Sequence, residues 1–151
     1  MKKNNKHNKT EGIMLTQLLV SIGIIALLST LSIPFLRQYQ TSFKLNSTAK
    51  ELASDLRQAQ QLTVSEQNVH YLQMDIINAS YNIIKQDGVV IIKTVALDPT
   101  INFQTITGFD NNRVVFNSYG AVSQSGNIVL INPNNDTTTV EVKPSGYVRV
   151  Q

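Results

Sequence analysis

Lys9-Thr10-Glu11-Gly12-Ile13-Met14-Leu15-Thr16-Gln17-Leu18-Leu19-Val20 joins two stretches of opposite character. Ahead of Ile13 the chain is short, rich in asparagine and basic, with Lys2, Lys3, Lys6 and Lys9. From residue 13 to residue 36 there is no charged side chain. At about 1.5 Å per residue a helix of that length reaches roughly 36 Å, enough to cross a hydrocarbon layer of roughly 30 Å. Lysines before such a span hold the leader in the cytoplasm, so everything after residue 36 is expected on the far side of the membrane.

Two general readings of the run fall short. A cleaved secretory signal has an apolar core of about 7–15 residues followed by a small-x-small site. This run is longer and reaches Pro34-Phe35-Leu36-Arg37 with no such site. A plain signal anchor fits the length but gives no reason for Gly12 to abut the run. The pattern resembles the type IV prepilin signal: a basic leader ending in glycine, an apolar residue, and a Leu/Val/Ile-rich helix with a proline near its end. Gly12, Ile13, Leu15, Leu18, Leu19, Val20, Ile22, Ile24, Ile25, Ala26, Ile33 and Pro34 stand where that pattern wants them. Gln17 departs from it, because the family usually has Glu there.

The resemblance implies a prepilin peptidase that cuts between Gly12 and Ile13 and methylates the new amine of Ile13. It implies that the helix then docks on other pilins or pseudopilins, with Gln17 at the docking position. The residues add their own constraints. A protease needs extended backbone, and Gly12 has no Cβ to obstruct it. Thr16, Ser21, Ser29, Thr30 and Ser32 can return their hydroxyls to helix carbonyls and so be tolerated in lipid. The Gln17 amide wants a partner, either on a neighbouring helix or at the membrane edge. Pro34 lacks an N–H and crowds the carbonyl of Thr30, so a kink is expected there.

Beyond the run, a little over a hundred residues remain, enough for one domain. With no cysteine, it must hold by packing alone. The formal charge of +3 belongs to the leader: without residues 1–12 the chain keeps nine basic and nine acidic side chains. A general attraction to nucleic acid or acidic lipid does not follow from the overall charge.

Leu45, Ala49, Leu52, Ala53, Leu56, Ala59 and Leu62 recur at helical spacing, with Lys50, Glu51, Asp55, Arg57 and Gln58 read mostly onto other faces. The helix is therefore expected to continue to about Val64, apolar all round in its first half and amphipathic in its second. From Val69 the period changes to two. Eight segments read as strands, beginning at Val69, Tyr81, Val89, Ile101, Arg113, Asn127, Thr137 and Tyr147. Asp87-Gly88 signals a hairpin and Asn132-Pro133-Asn134-Asn135-Asp136 a longer turn. The expected fold is α+β, a long N-terminal helix packed on an antiparallel sheet or sandwich. Its parts are a leader to be cleaved (1–12), a membrane or filament-core helix (13–36), an amphipathic continuation (37–65) and a β domain (66–151).

Little in the β region has the form of catalytic machinery. His70 is the only histidine after the leader and reads as a surface or core residue. Asp75, Asp87, Asp98, Asp110 and Asp136 are scattered over turns without paired spacing for acid–base work. No cofactor or metal is expected; Asn134, Asn135 and Asp136 read as a plain turn.

Val115-Phe116-Asn117-Ser118-Tyr119-Gly120, then Ser125-Gly126-Asn127-Ile128-Val129-Leu130, then Gly146-Tyr147-Val148-Arg149-Val150 are similar to the closing strands of the H-type pseudopilins of type II secretion and the FimT-type minor pilins. Asp55-Leu56-Arg57-Gln58-Ala59-Gln60 resembles that family's "L-R-x-A-R" helix. The resemblance implies a non-enzymatic minor subunit, first in the inner membrane with its β domain outside the cytoplasm, then in a pilus or pseudopilus. An alternative use in the family is DNA uptake, through arginines on a closing "G-R-x-R" segment. Arg149 keeps the second arginine and Tyr147 replaces the first, so phosphate affinity from this pair is expected to be weak.

Overall fold

The computed structural model of the chain describes residues 8–151, with side chains described for residues 14–30 and 39–151. By its internal contacts the chain divides into two units, Met1–Tyr39 and Gln40–Gln151. Helix α1, Asn8–Glu66, contributes to both.

In the first unit, residues 14–30 are helical and exposed along their whole length. The hydroxyls of Ser21, Ser29 and Thr30 donate to the carbonyls of Gln17, Ile25 and Leu27, as a helix with an apolar surface requires of them. Among the described residues no helix is long and apolar enough to cross a membrane. The side-chain expectations for Gly12, Ile13 and Pro34 fall outside the described residues. The helical backbone runs through all three, starting at Asn8, ahead of the expected start at Ile13.

The second unit carries the core. Leu45, Ala49, Leu52, Ala53, Leu56 and Ala59 of α1 are buried, and Leu62 is partly buried against the same cluster. The stripe expected from the 3.6-residue period is thus the face that packs. Asp55 overturns one part of that reading: read onto an outer face, it is only 4% exposed.

Eight strands follow the helix: β1 His70–Asp75, β2 Ser80–Lys85, β3 Val90–Ala96, β4 Asn102–Thr107, β5 Arg113–Val115, β6 Gly126–Ile131, β7 Thr137–Val142 and β8 Val148–Val150. They form two antiparallel sheets, in the orders β3-β2-β1-β5 and β4-β6-β7-β8. The Asp87-Gly88 signal is a real turn between β2 and β3, with φ of 74° at Gly88 and 51° at Val89. Leu72, Met74, Tyr81 and Ile83 of the first sheet and Phe103, Ile128, Leu130, Val140, Val142 and Val148 of the second share one core with the helix. Burial alternates along β1 and β7, as expected for sheets with one covered face.

Candidate functional site

The helix enters the second unit between two polar loops. Asp98, in the β3–β4 connection, lies 3.0 Å from the Lys44 ammonium of α1. Its carboxylate also accepts the Thr100 hydroxyl at 2.6 Å and the Thr100 N–H at 3.0 Å. The Thr100 hydroxyl first, then the Thr100 N–H and Lys44, hold the Asp98 carboxyl down at about 2. Across the entry, the β6–β7 turn presents Asp136, which accepts the Ser42 hydroxyl and the Asn132 amide, each at 2.9 Å. Asn132 closes this turn by accepting the N–H groups of Asn134 and Asp136. The Asn132 and Ser42 bonds lower the Asp136 carboxyl from its usual range. Two carboxylates thus grip residues 42–44, where α1 enters the folded unit. Asn134, Asn135 and Asp136 lie in this turn, and among the described residues no group of three His, Cys, Asp or Glu side chains that could hold a metal is found.

Further along the helix, Asp55 accepts two hydrogen bonds from Lys93 of β3, at 2.7 and 2.8 Å, and one from the Tyr81 hydroxyl of β2 at 2.8 Å. Burial, and then the Asp55 carboxylate, push the Tyr81 hydroxyl far above its ordinary range. Near the end of the helix, Gln60 donates to the Gly120 carbonyl at 2.6 Å. The turn at Gly146 lies against the same carbonyl, so closely that a Cβ at Gly146 would overlap it, and φ there is +80°. Arg57 donates to the Val148 carbonyl at 2.9 Å. The closing strand and the Gly120 turn are therefore tied to α1 by the Arg57 and Gln60 side chains donating to main-chain carbonyls, and the close approach at Gly146 admits only glycine.

The residues singled out for nucleic acid do not form a cationic cluster. Arg149 is exposed on β8 directly across from Glu141 of β7, an opposite charge at cross-strand distance. Tyr147 is half exposed, with the Lys143 ammonium 6.0 Å from its ring centre. Tyr119, which sequence reading did not single out, stands almost wholly exposed on the β5–β6 connection. His70 is a core residue: fully buried, with Nδ1 2.8 Å from the Asn68 carbonyl oxygen and Nε2 3.6 Å from the Glu66 carboxylate. Gln17 is exposed, and its own carbonyl receives the Ser21 hydroxyl. Among the described residues, 14–28 expose a continuous run of apolar side chains, with Met14, Leu15, Leu18, Leu19, Ile25 and Leu27 each more than 60% exposed. Soluble monomers rarely expose a contiguous apolar surface of that kind.

No family model matches the chain, and no curated protein matches it in sequence. Solved structures do. The minor pseudopilin EpsH of the type II secretion system of Vibrio cholerae superposes with a TM-score of 0.62 at 10% identity, over 72% of this chain and 96% of that one. The type IV minor pilin FimU of Pseudomonas aeruginosa gives a TM-score of 0.61 at 13% identity, over 75% of this chain and 92% of FimU. A second EpsH structure gives 0.58 at 8% identity. At such identities the likeness is one of fold: this chain has the α+β fold of the minor pilins and pseudopilins.

Proposed function

We propose that this chain is a minor pilin or pseudopilin, a structural subunit that enters or tips a type IV pilus or a type II secretion pseudopilus. The observation that carries the reading is the coincidence of two independent features. Of this chain, 72–75% superposes on EpsH and FimU, and its sequence has the basic leader, Gly12-Ile13 junction and uncharged run of a prepilin. In this reading the peptidase removes residues 1–12 and methylates Ile13. Residues 13–36 then serve twice, as an inner-membrane anchor and afterwards as one helix of a filament core. Both surroundings are apolar, so the transfer does not expose the helix to water. The grip on residues 42–44 and the tie of β8 to α1 hold the second unit to its own part of the helix, residues 40–66. The work is mechanical, with no catalytic step and no cofactor.

Gln17 supports a place at the tip of the filament. A carboxylate there would take the charged amine of a neighbour as its partner; a neutral amide accepts a hydrogen bond without neutralising that charge. A subunit that caps or starts a filament has no subunit beyond it to engage, so Gln17 suits the tip. Immunogold labelling of filaments for this chain tests this. Label at one end and at low copy is expected, with Gln17→Glu leaving leader cleavage intact. Label spread evenly along the length contradicts it. DNA uptake is the weaker reading, because Arg149 already faces Glu141 and the chain after the leader has no net charge.

A further inference from the structure

The β1–β2 hairpin closes with Ile76-Ile77-Asn78-Ala79, between the paired residues Asp75 and Ser80. A turn facing water is ordinarily built from Gly, Pro, Asn, Asp and Ser. This one carries two isoleucines, Ile76 45% and Ile77 95% exposed. The backbone that presents them is fastened from within. The Asp75 carboxylate accepts the N–H groups of Ile77 and Asn78, each at 3.0 Å, and the Asn78 amide at 2.7 Å. The Asp75 charge is thus held on the turn's own donors, and residues 76–80 carry none.

The turn stands at the end of the second unit where α1 enters. The Ala79 carbonyl accepts the Leu97 N–H at 2.9 Å, and the next residue, Asp98, meets Lys44. The Gly120 turn marks the other end, against Gln60 and Val64, at least about 24 Å further along α1 than Lys44.

We propose that Ile76 and Ile77 are a second membrane contact, which enters the surface of the bilayer that the uncharged run 13–36 spans, on the side of the second unit. The inference rests on the membrane stage of the proposed function and adds a point of attachment to it. Two observations favour lipid over a protein partner. The first is the tether. The second unit begins at Gln40, and the four residues from 36 to 40 reach no more than about 14 Å even when fully extended. That limit is set by chain length alone and holds at any angle between the units, so a bilayer occupied by residues 13–36 is always close to the entry end. The second is area. Two isoleucine side chains fall far short of the roughly 800 Å² that each partner of a stable protein complex commits. A bilayer surface asks for no complementary shape, and apolar side chains add to its binding in proportion to the area they bury.

The chain contains no tryptophan, so Ile77→Trp supplies a single indole at the turn, and Tyr119→Trp, at a position 95% exposed, supplies one at the other end. Each full-length variant is reconstituted into phosphatidylcholine vesicles, with and without lipid brominated in its acyl chains. Emission of Ile77→Trp is expected to lie to the blue of Tyr119→Trp and to be quenched by brominated lipid, with Tyr119→Trp unquenched. Adding Ile76→Asn to Ile77→Trp should reduce the quenching. Indole has an interfacial preference of its own, so amide exchange of residues 76–79 gives a second measurement. In vesicles it should be slower in the parent chain than in Ile77→Asn. Equal quenching at the two ends, or exchange unchanged by Ile77→Asn, overturns the inference. A blue shift that grows with chain density and is not quenched by brominated lipid also overturns it, since a second copy would then cover the turn. A chain that does not float with the vesicles overturns the membrane stage and this inference together. A chain that floats with its turn unquenched overturns this inference alone.

Discussion

Asp55 receives three hydrogen bonds in a site almost closed to water, two from the Lys93 ammonium and one from the Tyr81 hydroxyl. Removing it strands both donors, and leaving a charged group unpaired costs more than the pair itself contributes. Asp55→Ala should therefore lower stability by about 2–4 kcal/mol in urea unfolding, and adding Lys93→Met should recover part of that loss. A pair of single losses that simply add would show that the network is not coupled. Asp98 gives a pH signature. Its folded-state value, about 2, lies below the usual carboxylate value, so its stabilising contribution is complete above that usual value. The contribution is lost as pH falls from about 4 towards 2. Asp98→Asn should thus narrow the stability difference between pH 5 and pH 2.5; an unchanged difference would mean that the Thr100 and Lys44 contacts carry no proton linkage. Neither role could be read from the sequence. Asp55 sits among Lys50, Glu51 and Arg57, so its charge argues for an outer face, and only the cross-strand position of Lys93 and Tyr81 shows otherwise. Asp98 looks like any turn aspartate until Lys44 is brought to it.

At the level of elements the helix and all eight strands were legible, because each is written in a local period: 3.6 along residues 45–62 and two from Val69 onward. The core followed, since the six buried apolar helix residues are those of the predicted stripe. Leu56 is wholly buried within it, and the second unit holds the entire core cluster. Leu56→Asp in a chain of residues 40–151 should abolish cooperative unfolding, because an unpaired charge there costs several kcal/mol. A cooperative melt like that of the parent would refute the packing of this face. What local period cannot show is which strand ends at an edge. The apolar run from Val89 reads as a strand like the other seven, yet β3 is exposed where its place in the order β3-β2-β1-β5 leaves it outermost. The contact of Gly146 with Gly120 and Gln60 is equally invisible, since it joins two turns and the helix, far apart in sequence.

At the scale of the whole molecule, a fold shared with EpsH and FimU is combined with a helix whose residues 14–28 are apolar and exposed. The membrane and filament steps depend on the boundary between residues 12 and 13, and that boundary can be read directly. Intact mass and N-terminal sequencing of the chain, taken from membranes of cells with and without their prepilin peptidase, test it best. The account predicts a chain beginning at Ile13 and carrying one added methyl group when the peptidase is present, and a chain retaining residues 1–12 when it is absent. A start at Met1 in both, or at any residue beyond 36, would contradict it.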